Sequence, residues 1–232
     1  NEKLIDKTED PYFGNVPNEL IKKNKKILVV YINHTKNPSS KIINKGKNKI
    51  FSQIILNSYL NFFLEFNFLL MAVRDNLLLR TLLKKEKDEL IKKIISNASS
   101  FKLIAQTISN LRIGEQLKRI VKKYQPKAII TTFEGHPYER IVYRMSREAL
   151  NNIYCIGYIH TGLSQYQHSV RRKLSNSYDP DHIMTASKIS YNQIINSNNF
   201  LNTKFLNFLT KTRFEVWIFN VNALVKFPSV KI

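Results

Sequence analysis

The sequence predicts an α/β fold, a parallel, Rossmann-like sheet flanked by helices, and three observations carry that expectation. Short apolar runs rich in β-branched residues recur at residues 27–32, 128–133, 153–159 and 182–185. Stretches of helical length separate them. Gly or Pro stands at several joints, as at Pro126, Gly135 and Pro137. A continuous apolar run bounded by turn residues is the pattern of a strand covered on both faces, as parallel strands between helices are.

Taken in order, residues 1–26 read as an irregular lead-in, with Pro11, Gly14 and Pro17 and few periodic apolar positions. Residues 27–32 open the sheet, and the lysine-rich, polar stretch 33–48 is the loop behind them. Residues 50–97 are rich in Leu and Phe and hold neither Gly nor Pro, so their length predicts helix. Ser96 to Ser100 break it. Ile104, Ile108, Leu111, Leu117, Val121 and Tyr124 then share one helical face until Pro126 stops the chain from continuing as helix.

The most regular stretch follows: strand 128–133, helix 137–150 with Pro at its first turn, strand 153–159. That is one right-handed βαβ crossover with parallel neighbours. A strand at 182–185 and a helix at 188–195 extend the pattern. All four strands are expected in one sheet, the domain spanning 27–199, with 200–232 unassigned.

A hydrophobic fraction of 43% over 232 residues supports a real core and excludes global disorder. The net charge of +20 invites an anionic partner. The surplus is diffuse and mostly lysine, however, whereas a nucleic-acid face concentrates Arg, aromatics and Gly, so no specific nucleic acid is expected. A peripheral contact with anionic membrane stays compatible with the charge. The single cysteine, Cys155, excludes an internal disulfide framework and a Cys-based zinc site, and points to a reducing, cytoplasmic compartment. No basic-then-apolar leader follows Asn1. The longest apolar region, 54–83, is interrupted by Asn61, Glu65, Asn67, Arg74, Asp75 and Arg80, too often for a spanning helix of ~20 apolar residues. The expectation is a soluble protein or one peripheral at the inner face of the membrane.

In open parallel sheets, ligands sit beyond the carboxyl ends of the strands. Two such ends here are dense in functional groups, Glu134 to Arg140 and His160 to His168. Glu134, ahead of the sharp turn that Gly135 permits, is a general base or an acceptor for loop amides. His160, at the matching position one strand on, is a base, a proton shuttle, an oxygen ligand or a prop for its own loop. If the strands are neighbours, the two face one crevice. Glu139 suits either the helix N-terminus, through the macrodipole, or a substrate contact. Arg140 can reach a carboxylate or a substrate phosphate, and His136 shares that ambiguity. Thr161, Gly162, Gln165 and His168 fill the second loop. Arg171, with Arg172 and Lys173, offers cations to a phosphate or acidic sugar, or forms a solvated turn. The histidine spacing lacks the tight pairing of a metal-binding helix, and neither a nucleophile-elbow nor a phosphate-loop motif occurs, so no metal and no cofactor are expected.

The quarter of the chain from about Lys127 to Ser187, with TFEGHPYERIVYR, GYIHTGLSQYQHS and YDPDHIMTAS, resembles bacterial surface-carbohydrate biosynthesis proteins that look like glycosyltransferases of the GT-B type. The strand-end H-T-G is similar to the H-G at strand ends in related capsule and teichoic-acid transferases. The resemblance implies a two-domain enzyme with facing Rossmann-like halves, the first taking a glycan or lipid-linked acceptor and the second a nucleotide-activated sugar, without a catalytic metal. Residues 163–232 depart from that plan, since they contain no glycine for a phosphate-cradling turn and only Glu215 is acidic after Asp181. The expectation is a single, incomplete GT-B-like half, the acceptor-binding part of a polysaccharide glycosyltransferase, inactive in sugar transfer alone. Glu134 or His160 would be its general base. A nucleotide-sugar epimerase of the same two-lobed fold and a non-enzymatic basic module on anionic membrane or nucleic acid are the alternatives.

Overall fold

A computed structural model of the chain describes residues 12–14, 16–32, 52–160, 162, 168–196 and 204–207. The order of elements is α1 (Val16–Lys22), β1 (Leu28–Tyr31), β2 (Ser52–Ile55), α2 (Phe62–Lys85), α3 (Glu89–Ala98), α4 (Phe101–Tyr124), β3 (Ala128–Thr132), α5 (Pro137–Ala149), β4 (Tyr154–Ile159), α6 (His168–Arg171), β5 (His182–Thr185), α7 (Lys188–Ile195) and β6 (Lys204–Asn207). The architecture is mixed α/β, with parallel strands between helices. The unit from β3 to α7 falls where the apolar runs place it.

Three expectations are corrected. The strands form two parallel sheets in place of one: β1 pairs with β2, while β3, β4, β5 and β6 form the other in that order. The partner of β1 is a strand inside the stretch assigned to helix, where Ser52–Ile55 has no glycine or proline to announce it. Its pairing continues through Leu56, whose N–H donates to the Tyr31 carbonyl at 2.8 Å. Second, the long helical stretch is two helices. Glu86 Oε1 accepts the Lys87 and Asp88 amides, and Asp88 caps α3 by accepting from Leu90 and Ile91 at 2.8 and 3.0 Å. Third, the lead-in contains α1, and the sheet runs past residue 199 to β6. The loop 33–48 and residues 208–232 lie outside the described residues.

Two apolar layers sandwich the larger sheet. On one face Phe133, Cys155, Ile159 and Ile183 pack with Val121 of α4, Tyr143 of α5 and Ile194 of α7. On the other, Ile156, Tyr158 and Met184 meet Phe13 from the N-terminal segment. A third cluster, Leu56, Ile113, Leu117 and Val142 with Val30 and Ile129, joins the β1–β2 pair to α4, α5 and β3. Gly157 leaves room for Phe133 and for the Tyr143 hydroxyl of α5, since a Cβ there would stand 2.8 Å from Phe133 Cγ and 3.2 Å from the Tyr143 oxygen. Helix α4 ends on Gln125 in the left-handed region at φ 47°, immediately before Pro126.

Candidate functional site

The turn between β3 and α5 is built around one buried carboxylate. Glu139 is 0% exposed. Its oxygens accept the backbone N–H groups of Glu134, Gly135 and His136 at 2.9 to 3.1 Å and the Thr132 hydroxyl at 3.2 Å. It sits at the third position of α5, where its charge also complements the helix dipole. Burial pushes its carboxyl up and the amide donors oppose that rise. Gly135 makes the turn at φ +91°, and a Cβ there would fall 2.0 Å from Ser169 Oγ. No other residue fits without displacing α6.

This arrangement projects the neighbouring side chains beyond the strand ends. Register pairing sets β3 beside β4, so Glu134 and His160 do end adjacent strands. Glu134 Oε1 lies 3.3 Å from His160 Nε2, and its Oε2 lies 3.4 Å from His136 Nε2. One carboxylate thus stands between two imidazoles. His160 Nδ1 points inward and has no hydrogen-bond partner among the described residues. Aromatic rings border the group: Tyr12 meets His160 edge-on at 5.1 Å, and Tyr138 stacks on His136 at 5.4 Å. Burial pushes the Tyr138 phenol up, against a hydrogen bond with Thr132.

Arg140 is committed elsewhere. It is buried, pairs with Asp179, donates to the Ser169 and Arg172 carbonyls at 3.3 and 2.9 Å, and lies over the Phe133 ring at 4.6 Å. Burial lowers the Arg140 pKa and raises that of Asp179, while each partner's charge opposes the other's shift. Two further arginines on the same face of α5 repeat the device: Arg144 bonds the Tyr178 hydroxyl, and Arg147 pairs with Asp181 at 2.9 Å. Asp181 in turn accepts the Cys155 amide at 2.7 Å. Helix α5 therefore clamps the YDPD segment, and both Glu139 and Arg140 are buried and bonded within the fold.

Gly162 is exposed and a Cβ there would meet nothing within 4 Å. His168 opens α6 and Arg171 closes it, half-buried. Thr161 and Gln165 lie outside the described residues. Sequence reading missed Tyr12, which has no local signal in the lead-in. Tyr138 was within reach, since it lies inside the EGHPYER run. The clamp too was legible, because Arg140, Arg144 and Arg147 stand at helical spacing opposite a segment with two aspartates.

No family model, curated protein or solved structure matches the chain. Among the described residues no three His, Cys, Asp or Glu side chains group to hold a metal ion, and no helix is long and apolar enough to cross a membrane. A cavity of about 480 Å³ lined by Arg80, Leu83, Lys84, Ser96, Ser99 and Ser100 lies where α2, α3 and α4 meet and includes none of the groups around Glu134. A carboxylate flanked by two imidazoles and bordered by Tyr12 and Tyr138 brings together groups able to take up or release a proton. A diphosphate finds no cradle at the start of α5, since Glu139 already occupies the Glu134, Gly135 and His136 amides.

Proposed function

We propose that the chain is the acceptor-binding half of a glycosyltransferase of surface-polysaccharide type, with Glu134 as the general base. The observation that carries the reading is the carboxylate held between His136 and His160 at adjacent parallel strand ends, on a turn fixed by Glu139. An acceptor hydroxyl placed there gives its proton to Glu134 as its oxygen bonds to the anomeric carbon of an activated sugar. The bond from that carbon to the nucleotide diphosphate breaks, and the diphosphate leaves with the electron pair. The two imidazoles keep the carboxylate oriented, and Tyr12 and Tyr138 offer ring faces to the acceptor. Occupation of the turn amides by Glu139 favours the acceptor role over donor binding. The nucleotide-activated sugar itself would be bound by a facing half.

The test has two arms. Titration of the whole chain with neutral oligosaccharides should shift the imidazole NMR signals of His136 and His160 saturably. No turnover of a nucleotide sugar is expected until a donor-binding half is supplied. With it, Glu134→Gln should slow the chemical step at least ~100-fold and leave the unfolding midpoint unchanged. Small, equal rate losses in Glu134→Gln and His160→Asn, with both variants merely less stable, would overturn the assignment. So would sugar transfer by the chain alone.

A further inference from the structure

The outward face of α2 is apolar and uncovered among the described residues. Phe62, Phe63, Phe66, Leu70, Val73 and Leu77 are between 39% and 82% exposed. Their spacing puts them on one side of the helix over ~22 Å, at 1.5 Å of rise per residue. Phe68, Ala72 and Asn76 occupy the opposite side and are buried against the protein. The same outward face continues into Arg80 and Lys84, with Arg74 and Lys85 beside it. Leu90, Ile91 and Ile94 of α3 are exposed as well, next to Lys92 and Lys93. A helix that is apolar all round but packed along one stripe only leaves a large apolar surface to be removed from water.

We propose that this face of α2 docks, lying flat, on an anionic lipid bilayer. The choice of occupant follows from the rim. The acids of α2 are paired, Glu65 with Arg112 at 2.6 Å and Asp75 with Arg74 at 3.9 Å, and at the start of α3 Glu89 pairs with Lys92 at 2.6 Å while Glu86 and Asp88 accept backbone amides. The charges that continue the stripe along the last turns of α2, Arg80, Lys84 and Lys85, are all cations, on a chain of net charge +20. Phe and Leu on one face with Lys and Arg around it is the composition of an interfacial helix, the apolar side chains entering the acyl boundary while the cations meet lipid phosphates. Protein interfaces, by contrast, are depleted in lysine. Since α2 falls short of a spanning helix, lying in the plane of the interface is the geometry open to it. The inference stands apart from the sugar-transfer reading, because none of the groups around Glu134 takes part.

Flotation of the full chain with vesicles tests it, comparing phosphatidylcholine with phosphatidylcholine containing about one-third phosphatidylglycerol. The chain should float with the anionic vesicles and remain with the soluble fraction for the neutral ones. Phe62→Ser with Phe66→Ser should weaken partitioning at least ~10-fold, and Arg80→Gln with Lys84→Gln should weaken it by a similar factor. A second measurement protects against a variant that fails to fold. Cys155 is buried, so a bimane on Phe63→Cys reports that position alone. Its emission should shift to the blue on anionic vesicles, while a probe on Arg119→Cys should not respond. Binding that neither variant alters, or no binding to either vesicle, would overturn the proposal. A lipid-free dimer that Phe62→Ser with Phe66→Ser converts to monomer, with no flotation, would assign the face to a second copy and overturn it equally.

Discussion

The unit from β3 to β5 and the helical pair α2–α3 handle their side chains in opposite ways. In the first, charge is taken inside: Glu139, Arg140 and Asp179 are all buried and each is satisfied by a named partner. In the second, apolar surface is left outside, with Phe63 82% exposed. Burying charge costs desolvation that only good geometry offsets, and exposing phenylalanine forgoes a hydrophobic gain. The polar investment in the first region fixes the loops around Glu134 to within hydrogen-bond distances. The apolar surplus in the second stays in water among the described residues, beside a packed stripe of Phe68, Ala72 and Asn76. The contrast separates a region whose buried charges hold loops in place from one whose apolar side chains face outward, the face proposed above to meet a bilayer.

The comparison breaks most visibly at Arg140. Arg140→Ala should destabilise the protein by ~3–5 kcal/mol in chemical denaturation, because Asp179 would stay buried without its cation. Phe68→Ala, on the packed side of α2, should cost a comparable ~3–5 kcal/mol through the cavity it leaves. A loss below ~1 kcal/mol at Arg140 would mean that the clamp on residues 178–181 adds little.

A smaller effect, dependent on pH, ties α2 to α4. Glu65 meets Arg112 through two bonds of 2.6 Å and accepts the Leu60 amide at 2.9 Å, with both side chains less than a quarter exposed. The hydrogen bonds from Arg112, ahead of the opposing effect of burial, hold the Glu65 carboxyl below the usual carboxylate range. A lowered folded pKa stabilises the native state at every pH above the unfolded value of ~4.3. That stability is lost as pH falls through the folded value. Glu65→Gln should therefore cost ~1–2 kcal/mol near neutrality, after allowance for solvent screening, and progressively less below pH ~4. A gap between wild type and variant that stays constant into acid would remove the carboxylate from the account.

How much of this was legible in the sequence depends on range. Strands 128–133, 153–159 and 182–185 announce themselves because an apolar, β-branched run between turn residues has few other uses, and Pro137 marks the start of α5. Strand β2 does not, since Ser52–Ile55 is four residues long and becomes a strand by pairing with β1. Glu134 and His160 were placed together by the rule for parallel strand ends, which needs only adjacency. The division of labour between Glu134 and Glu139 was out of reach. It follows from which carboxylate turns inward to the amides, and that is decided by the φ of Gly135 and the proximity of Ser169, which lies far along the chain. Nor does hydropathy tell Phe66 from Phe68, because α2 is apolar on both sides and only the position of α4 determines which side is covered.

That pair supplies the smallest expected effect and the sharpest form of the comparison. Phe66 and Phe68 are two residues apart on one helix, so helix propensity and local context nearly cancel between them. Phe66 is 50% exposed and Phe68 6%. If the outward face takes no part in folding, Phe66→Ser should shift stability by no more than ~0.5 kcal/mol, most of it from the lower helix propensity of serine. Its ring stacks on Phe62 at 6.2 Å, but that contact is itself in water and adds little. Equilibrium denaturation of Phe66→Ser beside Phe68→Ser, the same substitution at both sites, measures the difference directly. A loss at Phe66 approaching that at Phe68 would place this face inside the folded protein, and the distinction between a region of buried charges and one of outward apolar side chains would fail at α2.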